Sequence, residues 1–366
     1  MPGTTYPAAF EGIPPFPDDV ETVPLLVIDY ELVKNGDENE INRLWEAATT
    51  LGFWYLKNHG ADETMLSSMF AMGSEVMNLP TEEKMKYDQG NNGISHGYKQ
   101  PGNVNTDATG KNQDSAEFIN ISKDDALAYP GPLPKLKMGY PAPAETAMEA
   151  AIKPFIRQSV EVNDTVLEVF NRKLGLKEGT LARKHNAYSG SEARCIRTPP
   201  APADVSPDKV ALLAHTDFGS LSFLHNRLGG LQVLPPGHTK WLYVRPMPGH
   251  AICNVGDSLA IFSGGVLQSN IHRVVPPPGD QRAHERWSLV FFTRPNDDER
   301  LRPLVDDQLP GSTLIQEGLA KKPGLTQTEE TAGEWLARRT KMQRTANIKS
   351  AKDFLASRGT EHTQVA

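Results

Sequence analysis

Two histidines and an aspartate supply the ligand types of a transition-metal site. His215 and Asp217 stand two positions apart in ALLAHTDFGS, at the end of an apolar run. Side chains two apart on a pleated strand point to the same side, so both can face one ion. His272 opens a later apolar run in SNIHRVVPPP. Two imidazoles and one carboxylate suit iron(II) with positions left open, and the same ligand types suit zinc(II) with one open position.

An arginine and a hydroxyl follow in the run RWSLVFF. Arg286 and Ser288 share one face of the predicted strand, and Trp287 takes the other. A guanidinium fork beside a hydroxyl is suited to clamping a carboxylate in a bidentate manner. Next to a metal with open positions, this pair predicts a carboxylate-bearing co-substrate whose other end chelates the metal, as a 2-oxo acid does.

The stretch from 193 to 294 must position these side chains. It consists of short apolar runs separated by Gly, Pro, Asn and Asp, which predicts an all-β barrel or sandwich. The seven runs are VALLAHTD, SLSFLHN, GGLQVL, WLYVRPM, AICNVGDSLAIFS, HRVVPPP and RWSLVFFTRP.

Predicted helices and strands precede this β-rich stretch, and a further predicted helix follows it. The predicted fold class is therefore α+β. Strands are predicted at 23–30 and 53–60, and helices at 38–51, 62–78, 146–174 and 326–350. The Gly- and Asn-rich stretch 88–115 predicts a loop that covers or binds a substrate.

The chain divides into three predicted parts. Residues 1–125 form an N-terminal αβ lobe with the pocket-capping loop. Residues 126–300 hold a support helix and the core, and residues 301–366 form a C-terminal loop and helical extension.

Composition argues against several kinds of partner. The 366 residues carry a net charge of -7, which disfavours binding to nucleic-acid phosphates. The basic cluster LARRTKMQR (336–344) is interpreted as the solvated face of a late helix. Two cysteines are too few for a disulfide framework and fit a reducing compartment. No signal peptide or membrane span is recognisable, so we expect a cytoplasmic protein, either a monomer or a weak dimer.

Several motifs together resemble one enzyme family. HTDFGSLSFL, GGLQV, NVGD, HRVVPPP and RWSLVFF resemble, in this order, the core signatures of iron(II)/2-oxoglutarate-dependent oxygenases of the isopenicillin N synthase type. VPLLVIDY, LGFWYLKNHG, LPTEEKMKY and HGYKQPG resemble that family's N-terminal lobe. The resemblance implies a double-stranded β-helix (jelly-roll) core with an N-terminal αβ lobe, a long support helix and a C-terminal helix.

The resemblance also implies roles for individual residues. His215, Asp217 and His272 are expected to hold iron, and Arg286 and Ser288 the distal carboxylate of 2-oxoglutarate. The family often has a tyrosine in the strand before the HxD motif. This chain has Thr198 there, so we expect either that the co-substrate lacks this contact or that Thr198 or Arg194 replaces it. The turn Asn254, Gly256 and Asp257 is interpreted as structural.

Substrate contacts are predicted by position along the motifs. Phe292 lies six residues after Arg286 and therefore shares its face on a regular strand. The candidate substrate-binding residues are Phe118, Asn120, Phe218, His225, Phe292 and Arg294.

The expected activity is oxidation of a small molecule with Fe(II), 2-oxoglutarate and O₂. Hydroxylation and desaturation both fit, and the substrate is expected to be a hydrophobic or aromatic specialised metabolite: a polyketide, alkaloid, amino-acid-derived or flavonoid-like compound. Three alternatives stay open. The same fold can oxidise or cyclise a carboxylate substrate without 2-oxoglutarate, a cupin-like barrel can act as a zinc hydrolase or lyase, and the fold can serve as a non-catalytic binding module.

Overall fold

A computed structural model describes most of the chain. The described residues are 12–106, 112–128, 130, 139–202, 204–206, 209–305, 313–322, 325 and 328–360. The first 11 residues of the stretch 1–22, which the sequence predicts to be irregular, and parts of the predicted loops lie outside these ranges.

Twelve strands and twelve α-helices occur in the described ranges. The strands are β1 Val27–Asp29, β2 Phe53–Lys57, β3 Gly97–Lys99, β4 Glu117–Ser122, β5 Glu192–Thr198, β6 Leu212–His215, β7 Leu221–Asn226, β8 Leu231–Val233, β9 Leu242–Tyr243, β10 His250–Val255, β11 His272–Val274 and β12 Arg286–Thr293. The helices are α1 Tyr30–Lys34, α2 Glu38–Thr50, α3 Glu63–Met77, α4 Thr81–Met85, α5 Lys123–Ala128, α6 Ala142–Ala147, α7 Lys153–Lys173, α8 Thr180–Arg183, α9 Asp257–Phe262, α10 Thr313–Lys321, α11 Ala332–Gln343 and α12 Ala351–Ala356.

The strands form two sheets whose inner faces line a common cavity. The larger sheet has the order β1-β2-β10-β7-β12-β5-β4-β3, and the smaller has the order β6-β11-β8-β9. Each of the seven predicted apolar runs contains one of these strands. The expected α+β fold with a jelly-roll core is confirmed.

The fifth run, AICNVGDSLAIFS, is only half strand, which corrects the prediction. β10 ends at Val255, Gly256 caps a helix, and α9 follows. All six residues of α9 are buried. A fully buried apolar stretch has no polar side to reveal its periodicity, so the pattern does not separate strand from helix.

The predicted long helix is divided by a turn of π-helix. α6 leads into a π turn at Met148–Ile152, and α7 then continues to Lys173. Pro154 has no N–H to donate to the preceding turn, which favours a local change of hydrogen bonding at this point. α7 packs against β7 and β12 through a buried face that includes Phe155, Ile156 and Val166, as the helical spacing predicts.

The N-terminal strands extend the larger sheet. β2 pairs with β10, and β4 pairs with β5, so strands of the N-terminal segment and of the β-rich stretch share one hydrogen-bonded sheet. The division of the chain at residues 125 and 300 therefore stays a proposal. It separates successive segments of the sequence, although strands of these segments pair in one sheet.

The basic cluster at 336–344 is not simply a solvated helix face. Arg339 is fully buried and pairs with Asp257, with 2.7 Å between Nη1 and Oδ2. Arg344, just after α11, is only 3% exposed. Helical periodicity alone does not reveal that this helix packs against the core. Within the described ranges, no helix combines the length and apolar character needed to cross a membrane.

Candidate metal centre

The two candidate histidine ligands lie opposite each other on neighbouring strands. His215 ends β6, His272 begins β11, and the two are direct antiparallel partners. Their ring centroids are 4.4 Å apart. Asp217 follows in the turn beyond β6, so it reaches the site from a loop and not from the strand.

Backbone carbonyls fix the orientation of both imidazoles. His215 Nδ1 lies 2.6 Å from the carbonyl oxygen of Leu213, and His272 Nδ1 lies 3.1 Å from that of Asn270. A carbonyl only accepts, so each Nδ1 carries a proton, which leaves Nε2 as the ring nitrogen that can bind an ion. Both Nε2 atoms lie 3.6 Å from Asp217 Oδ1.

Two side chains donate hydrogen bonds to Oδ2, the second carboxylate oxygen of Asp217. Ser222 Oγ donates to Oδ2 at 2.5 Å, and Asn254 Nδ2 donates to it at 2.7 Å. Burial raises the pKa of this carboxyl, but His272, His215 and the hydrogen bonds outweigh it, so the pKa lies below its ordinary value. Oδ1 of an ionised carboxylate therefore remains available for an ion.

The donor set fits a divalent ion of the iron type. The three ligand atoms all lie within 4.8 Å of one another, and their residues form the one such His, Cys, Asp or Glu group found in the described part of the chain. Two imidazoles and one carboxylate, supported by outer hydrogen bonds, match the composition of facial iron(II) sites.

Backbone hydrogen bonds from the turn NVGD hold the loop that carries Asp217. The N–H of Asp257 donates to Asp217 O at 2.8 Å, and the N–H of Gly256 donates to Ser220 O at 2.9 Å. A Cβ on Gly256 would clash with the carbonyl oxygen of Gly219, so only glycine permits this approach. The turn is structural as expected, but Asn254 also holds the candidate ligand directly.

Arg286 and Ser288 lie on β12 in the facing sheet. Arg286 is buried, donates from Nε to Gly229 O and from Nη1 to Ser288 Oγ, both at 2.7 Å, and burial lowers its pKa to about 10. No carboxylate of the described chain pairs with it. A buried guanidinium without a counter-charge is unfavourable, so this site fits the carboxylate of a bound anion.

A cavity of about 130 Å³ joins the triad to this arginine. Alternate residues of β12 line it from Arg286 through Phe292, as the strand period predicts. Five cationic side chains but only two carboxylates line the cavity among the described residues: Lys99, Arg194, Arg286, Arg294 and Arg344 against Asp114 and Asp217. The cavity is thus positive in a chain of net negative charge.

Four predicted substrate residues line this cavity and two do not. Phe118, Phe218, Phe292 and Arg294 are in its wall. Asn120 is fully buried behind it and accepts from Arg194 Nε at 2.7 Å.

His225 lies on the opposite face of β7. Ser222 and Leu224 face the cavity, so strand alternation turns His225 away, against His59 and Phe155. The prediction that His225 contacts the substrate is therefore wrong: it lies three residues after Ser222, an odd number, and so faces the other side of the strand.

Thr198 is the cross-strand partner of Arg286. It lines a neighbouring cavity that Arg286 also borders, whereas Ile196 and Arg194 of the same strand line the main one. A contact between Thr198 and a co-substrate stays a prediction.

The sequence patterns miss several polar residues of the cavity. Lys99 and Asp114 are buried partners from the predicted loop. Glu192 does not line the cavity itself, but its buried carboxylate accepts from the lining residues Arg194 and Arg294. Thr340, Gln343 and Arg344 reach the cavity from α11 and the residue after it. These contacts join distant parts of the chain, and no local motif marks them.

Comparison with known proteins agrees with the motifs. Residues 25–138 match the family described as non-haem dioxygenase in morphine synthesis N-terminal, and residues 188–295 match the 2OG-Fe(II) oxygenase superfamily. The 2-oxoglutarate-dependent dioxygenase frbH of Dothideomycetidae sp. is 30% identical over 75% of this chain and 83% of its own length. A 2-oxoglutarate-dependent dioxygenase of Aspergillus fumigatus is 28% identical over 88% of this chain and 86% of its own.

Solved structures share the fold. A full-length Neurospora crassa protein, solved in complex with alpha-KG and thymine, superposes with a TM-score of 0.70 at 22% identity, covering 91% of this chain and 99% of that one.

Proposed function

The chain belongs to the 2OG-Fe(II) oxygenase superfamily, and from this premise we propose that His215, Asp217 and His272 hold its iron while Arg286 and Ser288 bind 2-oxoglutarate. The protein is a non-haem dioxygenase that uses Fe(II), 2-oxoglutarate and O₂. When bound, these groups supply the oxidation of an unactivated C–H bond, with release of succinate and CO₂.

One observation carries the assignment of residues. Three convergent ligand atoms and a buried guanidinium without a counter-charge border the same cavity. The triad alone would also suit a zinc site, and the guanidinium alone would also suit a structural arginine. Together they match a metal-chelating co-substrate whose far carboxylate needs a cation.

The chain's own residues hold and orient these groups. Leu213 O and Asn270 O accept from Nδ1 of the two histidines and so present Nε2 to the ion, and Ser222 and Asn254 turn Oδ1 of Asp217 toward them. Ser288 accepts from Arg286, and Gly229 O holds the Nε side of the same guanidinium. The fork therefore needs little reorganisation to meet a carboxylate.

The substrate is proposed to be a small specialised metabolite with a hydrophobic or aromatic body, which is hydroxylated or desaturated. Phe118, Phe218 and Phe292 supply aromatic surface in the cavity wall, and Arg294 is the proposed polar contact. The similarity to fungal 2-oxoglutarate-dependent dioxygenases and to a protein solved in complex with thymine supports a small organic substrate.

Cellular context is proposed on composition. Two buried free cysteines support a reducing, cytoplasmic location, which cell fractionation tests. The acidic net charge supports an absence of nucleic-acid partners, and sizing by light scattering decides between the two expected states, a monomer and a weak dimer.

The activity is tested by succinate release in a metabolite screen. Purified protein with Fe(II) and 2-oxoglutarate is expected to form succinate in the presence of O₂, at a rate that the true substrate raises. The Asp217→Ala variant should form none. Turnover supported by zinc without O₂, or oxidation of a substrate without any 2-oxoglutarate consumption, would overturn the proposal.

A further inference from the structure

A second arginine of the cavity is buried without a counter-charge. Arg344 follows α11 directly, lines the same cavity as His215 and Asp217, and is 3% exposed. Its Nη2 donates to Gln89 Oε1, and its Nε has no hydrogen-bond partner in the described structure. Asp88, Asp114 and Glu192 act on it only at longer range.

The remaining cavity cations outside the co-substrate site all have carboxylate partners. Lys99 pairs with Asp114, while Arg194 and Arg294 share the single carboxylate of Glu192. Arg286 is assigned to 2-oxoglutarate. Among the described residues that line the cavity, Arg344 is thus the cationic side chain that has no carboxylate partner, either in the chain or in the co-substrate.

The position of Arg344 is fixed before any ligand binds. Gln89 donates to the carbonyl oxygens of Ser95 and Gly97, which aims its Oε1 at the guanidinium. The backbone of Arg344 bridges to Val104. A buried cation held rigidly by neutral groups has the character of a binding site for an anion.

We propose that the substrate is a small organic acid and that its carboxylate pairs with Arg344. The inference rests on the proposed function, because it requires 2-oxoglutarate to neutralise Arg286. One carboxylate can engage the Nε–H that now lacks an acceptor and balances one guanidinium charge.

Aromatic surface in the cavity that Arg344 lines indicates the rest of the ligand. The Arg194 guanidinium lies 4.2 Å from the ring centroid of Phe118 and 4.8 Å from that of Phe292. These rings and the adjacent Ile196 offer a flat apolar wall in the same cavity. The expected substrate is therefore an acid with an aromatic or alicyclic body.

Matched acids and amides test the proposal without turnover. The protein is loaded anaerobically with Mn(II) and saturating 2-oxoglutarate. Thermal shift then screens four acids, each beside its primary amide: benzoic, phenylacetic, cinnamic and naphthoic acid. Calorimetry measures the affinity of each compound that binds. We expect acids to bind at least about 30-fold more tightly than their amides, as a buried ion pair does when one partner is neutralised.

The Arg344→Gln variant should lose that preference while binding Mn(II) and 2-oxoglutarate normally. Arg344→Lys keeps the charge and should retain the preference with weaker binding. Arg300→Gln, which alters an arginine whose side chain is 59% exposed, is the matched control and should behave as wild type. Without ligand, Arg344→Gln should melt no lower than wild type, whereas a structural arginine would lower the melting temperature.

Four results would overturn the inference: no acid binds, amides bind as well as acids, Arg344→Gln keeps the acid preference, or Arg344→Gln without ligand melts at a lower temperature than wild type. Failure of the proposed function has a different signature, since wild type would then not bind 2-oxoglutarate in the first place.

Discussion

The hydrogen bonds to Asp217 Oδ2 determine how well Oδ1 is aimed. Ser222 and Asn254 both donate to that oxygen, and neither touches the two histidines in the described contacts. Such outer partners hold a carboxylate ligand in one rotamer and keep it ionised. A sequence motif shows the ligand but not the residues that orient it, which is why the sequence marks Asn254 only as part of a turn.

Replacing Asn254 by alanine should weaken metal binding about 10- to 100-fold, because Asp217 loses one of its two orienting donors. Anaerobic calorimetric titration with Fe(II) measures the change. Asn42→Ala, which alters an exposed asparagine on α2, serves as the control. Equal Fe(II) affinity in wild type and Asn254→Ala would show that Ser222 alone orients the carboxylate.

At the scale of elements, α11 connects the C-terminal segment to the turn NVGD, which lies beside the candidate metal centre. Arg339 donates to Asp257 Oδ2 at 2.7 Å and to Ser357 O at the same distance. Arg358 donates to the carbonyl of Ala214, next to the candidate ligand His215. The helix therefore closes the cavity through a buried ionic contact instead of lying on the surface.

Replacing Arg339 by methionine should lower the free energy of unfolding by about 3–5 kcal/mol, since it leaves Asp257 buried without its cation. Denaturant titration measures this loss. Arg338→Met on the same helix is the matched control: its ion pair with Glu330 is partly exposed and should contribute no more than about 1 kcal/mol. Similar losses in the two variants would mean that the Arg339–Asp257 contact is not the structural link we describe.

Local motifs predict the strand-borne part of the site well. The alternation along RWSLVFF indicates the correct face for Arg286, Ser288 and Phe292, because a strand's period is fixed by its pleat. Arg344 and Lys99 escape prediction because they reach the cavity through tertiary packing of a helix and a loop. The prediction for His225 is wrong because the sequence marks its strand but not which face of that strand borders the cavity.

At the scale of the whole molecule, Glu192 connects three parts of the chain. It lies on β5, is fully buried, and accepts from Arg194, from Arg294 beyond β12, and from Ser95 in the N-terminal segment. Burial raises the pKa of its carboxyl, but Arg294, His96 and Arg194 outweigh burial and hold the pKa well below its ordinary value. Acid should therefore weaken the contact that unites these segments.

The stabilisation by Glu192 should be lost as the pH falls below about 4.3, the ordinary pKa of a glutamate in an unfolded chain. A carboxyl whose pKa is lowered by folding stabilises fully above that pH and progressively less below it. Unfolding free energies of wild type and Glu192→Gln, measured from pH 7 to pH 3, should differ most near neutrality and converge in acid. A difference that stays constant across this range would contradict the assignment of charge to Glu192.

The triad and Arg286 are proposed to hold iron and 2-oxoglutarate together in one cavity. Anaerobic calorimetry with Fe(II) and then 2-oxoglutarate, on wild type, Asp217→Ala and Arg286→Gln, tests this most directly. We predict that wild type binds both, that Asp217→Ala binds no Fe(II), and that Arg286→Gln binds Fe(II) normally but 2-oxoglutarate at least about 30-fold more weakly. Unchanged 2-oxoglutarate affinity in Arg286→Gln, or Fe(II) binding in Asp217→Ala, would contradict this arrangement.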